Sequence, residues 1–225
     1  MAAHYTLIMG TRNWSSWSLR PYLAMRATGA PFDEVVIALR RPDTRSEILK
    51  LSPAGRVPVL KIEEGGEITT VFDSLAICET LAERHPQAGL WPADWRARAL
   101  ARSYAAEMHA GFAPLRNALS MEIARDLPTP DLASDVKADI TRILEAWTDA
   151  LTRYGRDGGF LFGRFSIADC MYAPVVSRFR TYGIAVPPIV EAYSERVFAL
   201  PAMRDWIAAA QEEIDGGLPT LAGLF

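Results

Sequence analysis

The sequence predicts a mixed α/β unit of order βαβαββα followed by an all-helical half, and three observations carry that reading. From Tyr5 to about His85, short apolar runs alternate with segments of helical periodicity. After Asp94 the strand-like runs stop, and apolar residues recur at helical spacing. Between the halves lies PQAGLWPA, dense in turn formers and suited to a linker. We therefore expect one unit at 1–86, a linker at 87–94 and a helical unit at 95–225. With 225 residues, half of them apolar, the chain can bury one large core or two modest ones that share an interface.

Each element has its own warrant. YTLIM is the first strand. A helix follows from about Ser18 to Thr28, with Leu19, Tyr22 and Leu23 on one face and Gly29 as its stop signal. Pro21 belongs within the first turn, where backbone N–H groups have no intrahelical partner, so the helix should begin close to Trp17. FDEVVIAL supplies a second strand. The stretch RRPDTRSEILKLSPAGR holds a short helix and then a turn at Pro53, Ala54 and Gly55. VPVLKI and ITTVF form a hairpin around Glu64, Gly65 and Gly66. DSLAICETLAERH closes the unit as a helix burying Leu75, Cys78, Leu81 and Ala82. In the second half, WRARALARSYAAEMHAGFAPLRNAL sets Ala101, Tyr104, Met108, Phe112 and Leu115 at helical spacing. Ile140, Ile143, Leu144, Trp147 and Leu151 repeat the pattern, and two or three further helices fill Ser166 to Asp215.

Composition narrows the function. A formal charge of −3 and a pI near 5.7 provide no basic field for a phosphate backbone, so nucleic acid is not expected as a partner. No apolar run approaches the ~18 residues of a membrane span, and MAAHYTLIMG lacks the basic and long apolar regions of a secretion signal. Cys78 and Cys170 fall inside helical core patterns with no CxxC partner. The expectation is a cytoplasmic protein in a reducing compartment.

Three motifs carry chemistry. NWSSWSLRP puts Ser15 and Ser16 just before a helix N-terminus, where free N–H groups and the helix dipole favour an anion. A serine there caps the helix or donates to a thiolate, and these readings stay open together. Trp14 and Trp17 flank them as packing or pocket residues. SPAGRVPVL sets Val57 before Pro58 at a strand entry. A cis bond there would turn the Val57 backbone outward toward a peptide-like ligand, and the alternative is an ordinary trans proline. FDSLAI places Asp73 and Ser74 at a helix start, as caps or as a site where Ser74 and the helix N-terminus take a carboxylate while Asp73 accepts from an ammonium group.

NWSSWSLRP, SPAGRVPVL and DSLAI, in this order, with FSIAD in the helical half, resemble the glutathione transferase superfamily over essentially the whole chain. The SSWS stretch is similar to the SSCS-type signature of zeta-class enzymes, and the N-terminal motif also resembles a group of bacterial glutathione transferase-like proteins. The resemblance implies a thioredoxin-like glutathione-binding half, an all-helical half and a homodimer. It implies that Ser15, with Ser16 as substitute, activates the glutathione sulfur. Val57 would pair through its backbone with the cysteinyl part, and Pro58 would be the cis-proline. Asp73 and Ser74 would hold the γ-glutamyl end, and Arg56 would lie near glutathione. Trp14, Met108, His109, Phe112 and Arg116 are candidates for lining the second-substrate pocket. Glutathione is then a co-substrate and no metal is expected. Trp17 stands where the zeta signature has cysteine, which weakens the case for maleylacetoacetate isomerase activity, and a serine at 15 argues against mixed-disulfide chemistry. The implied function is attack of a glutathione thiolate on a small hydrophobic electrophile, in conjugation or isomerisation. The alternatives are a non-catalytic binding module of the same fold and a glutathione-dependent thiol or peroxide reductase. Ser166 and Asp169 read as a structural capping pair.

Overall fold

The computed structural model describes residues 3–221, so the first two and last four residues of the expected units lie outside the described residues. The first half runs β1 (His4–Gly10), α1 (Ser16–Thr28), β2 (Asp33–Ile37), α2 (Thr44–Leu49), β3 (Val59–Glu64), β4 (Glu67–Phe72) and α3 (Ser74–Arg84), in the predicted order. The strands form one sheet of order β2-β1-β3-β4, in which β1 pairs parallel with β2 and antiparallel with β3, and β3 pairs antiparallel with β4. The β3–β4 hairpin turns at Gly65 and Gly66, whose φ angles of 62° and 85° suit glycine and match the twist of the strands.

The second half comprises α4 (Trp95–Ala110), α5 (Ala113–Ala118), α6 (Ser134–Tyr154), α7 (Ile167–Thr181), α8 (Pro188–Ala199) and α9 (Pro201–Asp215). Helix α7 is its axis. Its residues from Ile167 to Phe179 are almost all buried, and it packs on α1, α4 and α8. One apolar cluster runs from Tyr5 and Leu7 in β1 through Leu19 and Leu23 in α1 to Trp147, Met171 and Trp206 in the helical half. Cys78 and Cys170 are free and buried in it. Among the described residues no helix is long and apolar enough to cross a membrane.

Three local expectations are corrected. Helix α1 begins at Ser16, next to Trp17 as expected, but Pro21 sits in its second turn rather than its first, where it cannot donate to the Trp17 carbonyl. The continuous helix expected over 95–119 breaks at Gly111 and Phe112. Phe112 takes a left-handed φ of 57°, and a Cβ on Gly111 would meet the Glu107 carbonyl oxygen at 2.8 Å. The second and third strands are shorter than the apolar runs that mark them, because the ladder of β2 ends at Ile37 and that of β3 starts only after Pro58.

Candidate active site

Five segments from both halves converge on a cavity of about 600 Å³. Trp17 contributes from the first turn of α1. Ala54, Arg56, Val57 and Pro58 come from the loop before β3, Phe72 from the end of β4, and Asp73 and Ser74 from the start of α3. His109 and Arg116 close it from α4 and α5. The Val57–Pro58 peptide is cis.

The start of α3 divides two roles between adjacent side chains. Asp73 is the N-cap, its Oδ1 accepting from the backbone N–H of Leu75 (2.9 Å) and Ala76 (3.2 Å). Its φ of 78° with ψ of 134° is sparsely populated for a residue with a Cβ and costs about 1–3 kcal/mol, the kind of strain found where a site needs a side chain aimed in one direction. The cap is thereby filled. Ser74 is only 1% exposed, and its hydroxyl has no hydrogen-bond partner although it borders the cavity.

On the far side, the second carboxylate oxygen of Asp73 meets His109 Nε2 at 2.7 Å, a contact that joins the α/β half to the helical half. The His109 ring stands edge-on to Trp17, with centroids 5.5 Å apart. The guanidinium of Arg116 lies 5.2 Å from the Trp17 ring centre and that of Arg20 4.1 Å. Arg20 is wholly buried. It donates to the carbonyls of Met171 (3.0 Å) and Ser16 (2.9 Å), and its remaining amino group is unpartnered. Burial, and then the nearby Arg178 and Arg116, push its pKa down. Arg178 is likewise buried and pushed down to about 10, mainly by desolvation and then by Arg116. Among the described residues no carboxylate hydrogen-bonds to Arg20, Arg116 or Arg178, although the Asp73 carboxylate at the same cavity partly offsets the charge of Arg20.

The structure thus gathers Arg56, Val57, Pro58, Asp73, Ser74, His109 and Arg116 around one cavity. Ser15 and Ser16 do not line it. Ser15 stands at the N-cap position of α1 without a side-chain capping bond, and its hydroxyl donates instead to Ser18 Oγ at 2.7 Å, which also accepts the Gly10 N–H at 3.1 Å. Ser16 is the first residue of the helix and is buried. Met108 and Phe112, candidates for the pocket through the resemblance, are buried core residues, as their helical spacing implies. Trp14 borders a different cavity, together with Thr11 and Leu218. Trp17, named from its motif as a packing or pocket residue, lines the cavity, whereas Ala54 and Phe72 were not singled out. The unusual tryptophan inside a serine-rich turn was the available signal for Trp17, while nothing local marks Ala54 or Phe72. Among the described residues no group of three or more His, Cys, Asp or Glu side chains is placed to hold a metal ion.

A cis-proline loop and a helix N-terminus on an α/β sheet, facing a cavity closed by a helical unit, form the frame of the glutathione S-transferases, and the chain belongs to that family. Residues 14–84 match the model of the glutathione S-transferase N-terminal domain and 93–209 that of the C-terminal domain. Within the family, the chain is 29% identical to the maleylacetoacetate isomerase of Pseudomonas aeruginosa over 208 residues, 90% of this chain and 95% of that protein. Its fold matches a glutathione transferase homologue from Burkholderia with bound glutathione (TM-score 0.71, 26% identity, 93% of this chain and 99% of the other). It also matches the maleylacetoacetate isomerase of Anaeromyxobacter dehalogenans with dicarboxyethyl glutathione and citrate in its active site (TM-score 0.67, 26% identity, 91% and 94%).

Proposed function

We propose that the chain is a glutathione-dependent transferase or isomerase that binds glutathione in this cavity and turns its sulfur on a small electrophile. The observation that carries the reading is the Ser74 hydroxyl. A buried hydroxyl without a partner costs about 1–3 kcal/mol, and a ligand carboxylate at the N-terminus of α3 would supply the missing bond. Asp73 would take the ammonium group of the same γ-glutamyl end, sharing its outer oxygen with His109. The Val57 backbone beside the cis bond would pair with the cysteinyl part, and Arg56 would attend the remainder of the tripeptide.

Activation of the sulfur falls to Ser15, with Ser16 as substitute. The Ser15 hydroxyl is engaged with Ser18, so the reading requires a χ1 rotation toward the ligand, a cheap change for a small side chain. A thiol of pKa near 8.5 is about 3% ionised at pH 7, and lowering the pKa by two units takes ~2.7 kcal/mol. A hydrogen bond to the charged sulfur provides roughly 1.5–3 kcal/mol and the helix terminus roughly 0.3–1 more. The two suffice together.

For the second substrate, the relatives named as maleylacetoacetate isomerases and the cavity-lining Arg116, to which no carboxylate among the described residues hydrogen-bonds, favour a carboxylate-bearing electrophile seated near Arg116, and isomerisation beside conjugation. Membership of the family supports a homodimer, and two free buried cysteines support a cytoplasmic location. The domain limits are 1–86 and 95–225, joined by a linker at 87–94.

Calorimetric titration with glutathione, paired with the thiolate absorbance of the complex against pH, tests the reading. Binding with a depressed thiol pKa supports the enzyme. No binding at millimolar glutathione would leave a transferase-like interaction module.

A further inference from the structure

The turn that carries Ser15 is held from the opposite half of the molecule. Asn13 is completely buried, and all four of its hydrogen-bonding groups reach residues more than a hundred positions away. Its backbone N–H donates to Glu213 Oε2 (2.9 Å) and its side-chain amide to Glu122 Oε2 (3.1 Å). Its side-chain oxygen accepts from Ala124 N–H (3.1 Å) and its backbone carbonyl from Ile123 N–H (3.3 Å). Arg12 repeats the arrangement, donating its N–H to Glu213 Oε1 (2.8 Å) and accepting from Trp206 Nε1 (3.0 Å). The Glu213 carboxylate thus grips two successive backbone N–H groups from the last helix, α9. Glu122 is itself buried and also accepts from Leu221 N–H and pairs with Arg125. The residues after this pair hang on the end of β1, because Trp14 and Ser15 donate their N–H groups to the Thr11 carbonyl at 3.1 and 2.8 Å.

We infer that Asn13, Glu122 and Glu213 are positioning residues for the thiol-activating serine, an inference that rests on the reading of Ser15 given above. None of the three lines the cavity, and Ser15 follows Asn13 by two residues. A group that must hydrogen-bond a developing anion needs its backbone fixed to a fraction of an ångström, and the carboxylate of Glu213 fixes the Thr11–Arg12 and Arg12–Asn13 peptide units, which end two residues before Ser15. Through Glu122 and Glu213 the helical half thus acts on the chemistry of the α/β half from outside the cavity.

The test uses the full chain and glutathione. Glu213→Gln keeps the side chain's shape and one acceptor oxygen but loses the grip on the second N–H. We expect a far-UV spectrum like that of the wild type and a glutathione Kd within about threefold of it. The bound thiol should have a pKa about one unit higher, with kcat at neutral pH lowered several-fold. Asn13→Ser, which removes both side-chain bonds while leaving the backbone ones, should shift the same thiol pKa in the same direction. Ser15→Ala is measured in parallel. If Ser15→Ala raises the thiol pKa while natively folded Glu213→Gln and Asn13→Ser leave it unchanged, the positioning role is overturned and the reading of Ser15 stands. If wild type binds no glutathione, or Ser15→Ala leaves the thiol pKa unchanged, the reading of Ser15 fails and the inference with it.

Discussion

Ser74 and Ser15 are both buried serines at helix starts, yet the structure gives them opposite situations. The Ser74 hydroxyl is unsatisfied beside the cavity, whereas Ser15 already donates to Ser18. Removing an orphan hydroxyl should not weaken the free protein. Ser74→Ala is expected to leave Tm unchanged or slightly raised while weakening glutathione binding about tenfold or more, since a bond to a charged carboxylate is worth roughly 1.5–3 kcal/mol. Equal affinity by calorimetry would remove Ser74 from the site. Ser15→Ala should do the reverse, leaving affinity nearly intact and lowering kcat at neutral pH. Full activity at pH 7 would transfer the role to Ser16 or to a backbone N–H. The serines, the Val57–Pro58 pair and the Asp73–Ser74 pair were all legible in the sequence because each belongs to a short local pattern. What each side chain bonds to was not, since Ser15 and Ser18 share a face of the first turn only once α1 is known to begin at Ser16.

At the scale of elements, helix α7 is fixed at its start by Asp169. Its carboxylate accepts from the backbone of Leu161 (3.0 Å) and Ser166 (2.8 Å) and from the Ser166 hydroxyl (3.1 Å). The FSIAD motif announced this pair, since serine followed three residues later by an acidic side chain is a helix-start signature. Complete burial nevertheless outweighs the hydrogen bonds to the carboxylate and raises the Asp169 pKa from 3.8 to about 6. In the folded state the group therefore holds its proton at a higher pH than in the unfolded chain. Its contribution to stability is full below about pH 4 and is lost as pH rises through about 6, on the order of 3 kcal/mol in all. Urea midpoints measured from pH 4 to 7 should show this fall in the wild type, and Asp169→Asn should flatten it. A wild-type profile that rises across that interval would mean that the hydrogen bonds prevail over desolvation. The break between α4 and α5 was less legible. Gly111 reads as a tolerable lapse in a long periodic stretch, and only the packing of the Phe112 side chain into the core turns it into a corner that brings Arg116 to the cavity.

Across the whole molecule, the core joins both halves without interruption, and α1 touches α7 and α9 as well as its own sheet. The buried Arg20 donates across that seam to Met171, and Asn13 and Arg12 meet Glu122, Trp206 and Glu213 there. Neither half can leave without exposing apolar surface and stranding buried polar groups, each at about 1–3 kcal/mol. A single cooperative unfolding transition is therefore expected, with far-UV circular dichroism and tryptophan fluorescence coinciding. Two resolved transitions would show that the halves are stable separately.

The sequence by itself determined the βαβαββα order, the switch to helices after the linker, and the three motifs that meet at the cavity. Periodicity, turn residues and helix caps are written in neighbouring residues and need no distant partner to be read. Only the tertiary structure decided which motif residues face the cavity and which are core, that Trp17 stands among arginines at its wall, and that Glu213 reaches back two hundred residues to the turn before Ser15. Those facts depend on how the helical half packs against the sheet. Packing is settled by contacts between residues far apart in the chain, of which a single sequence carries no local mark.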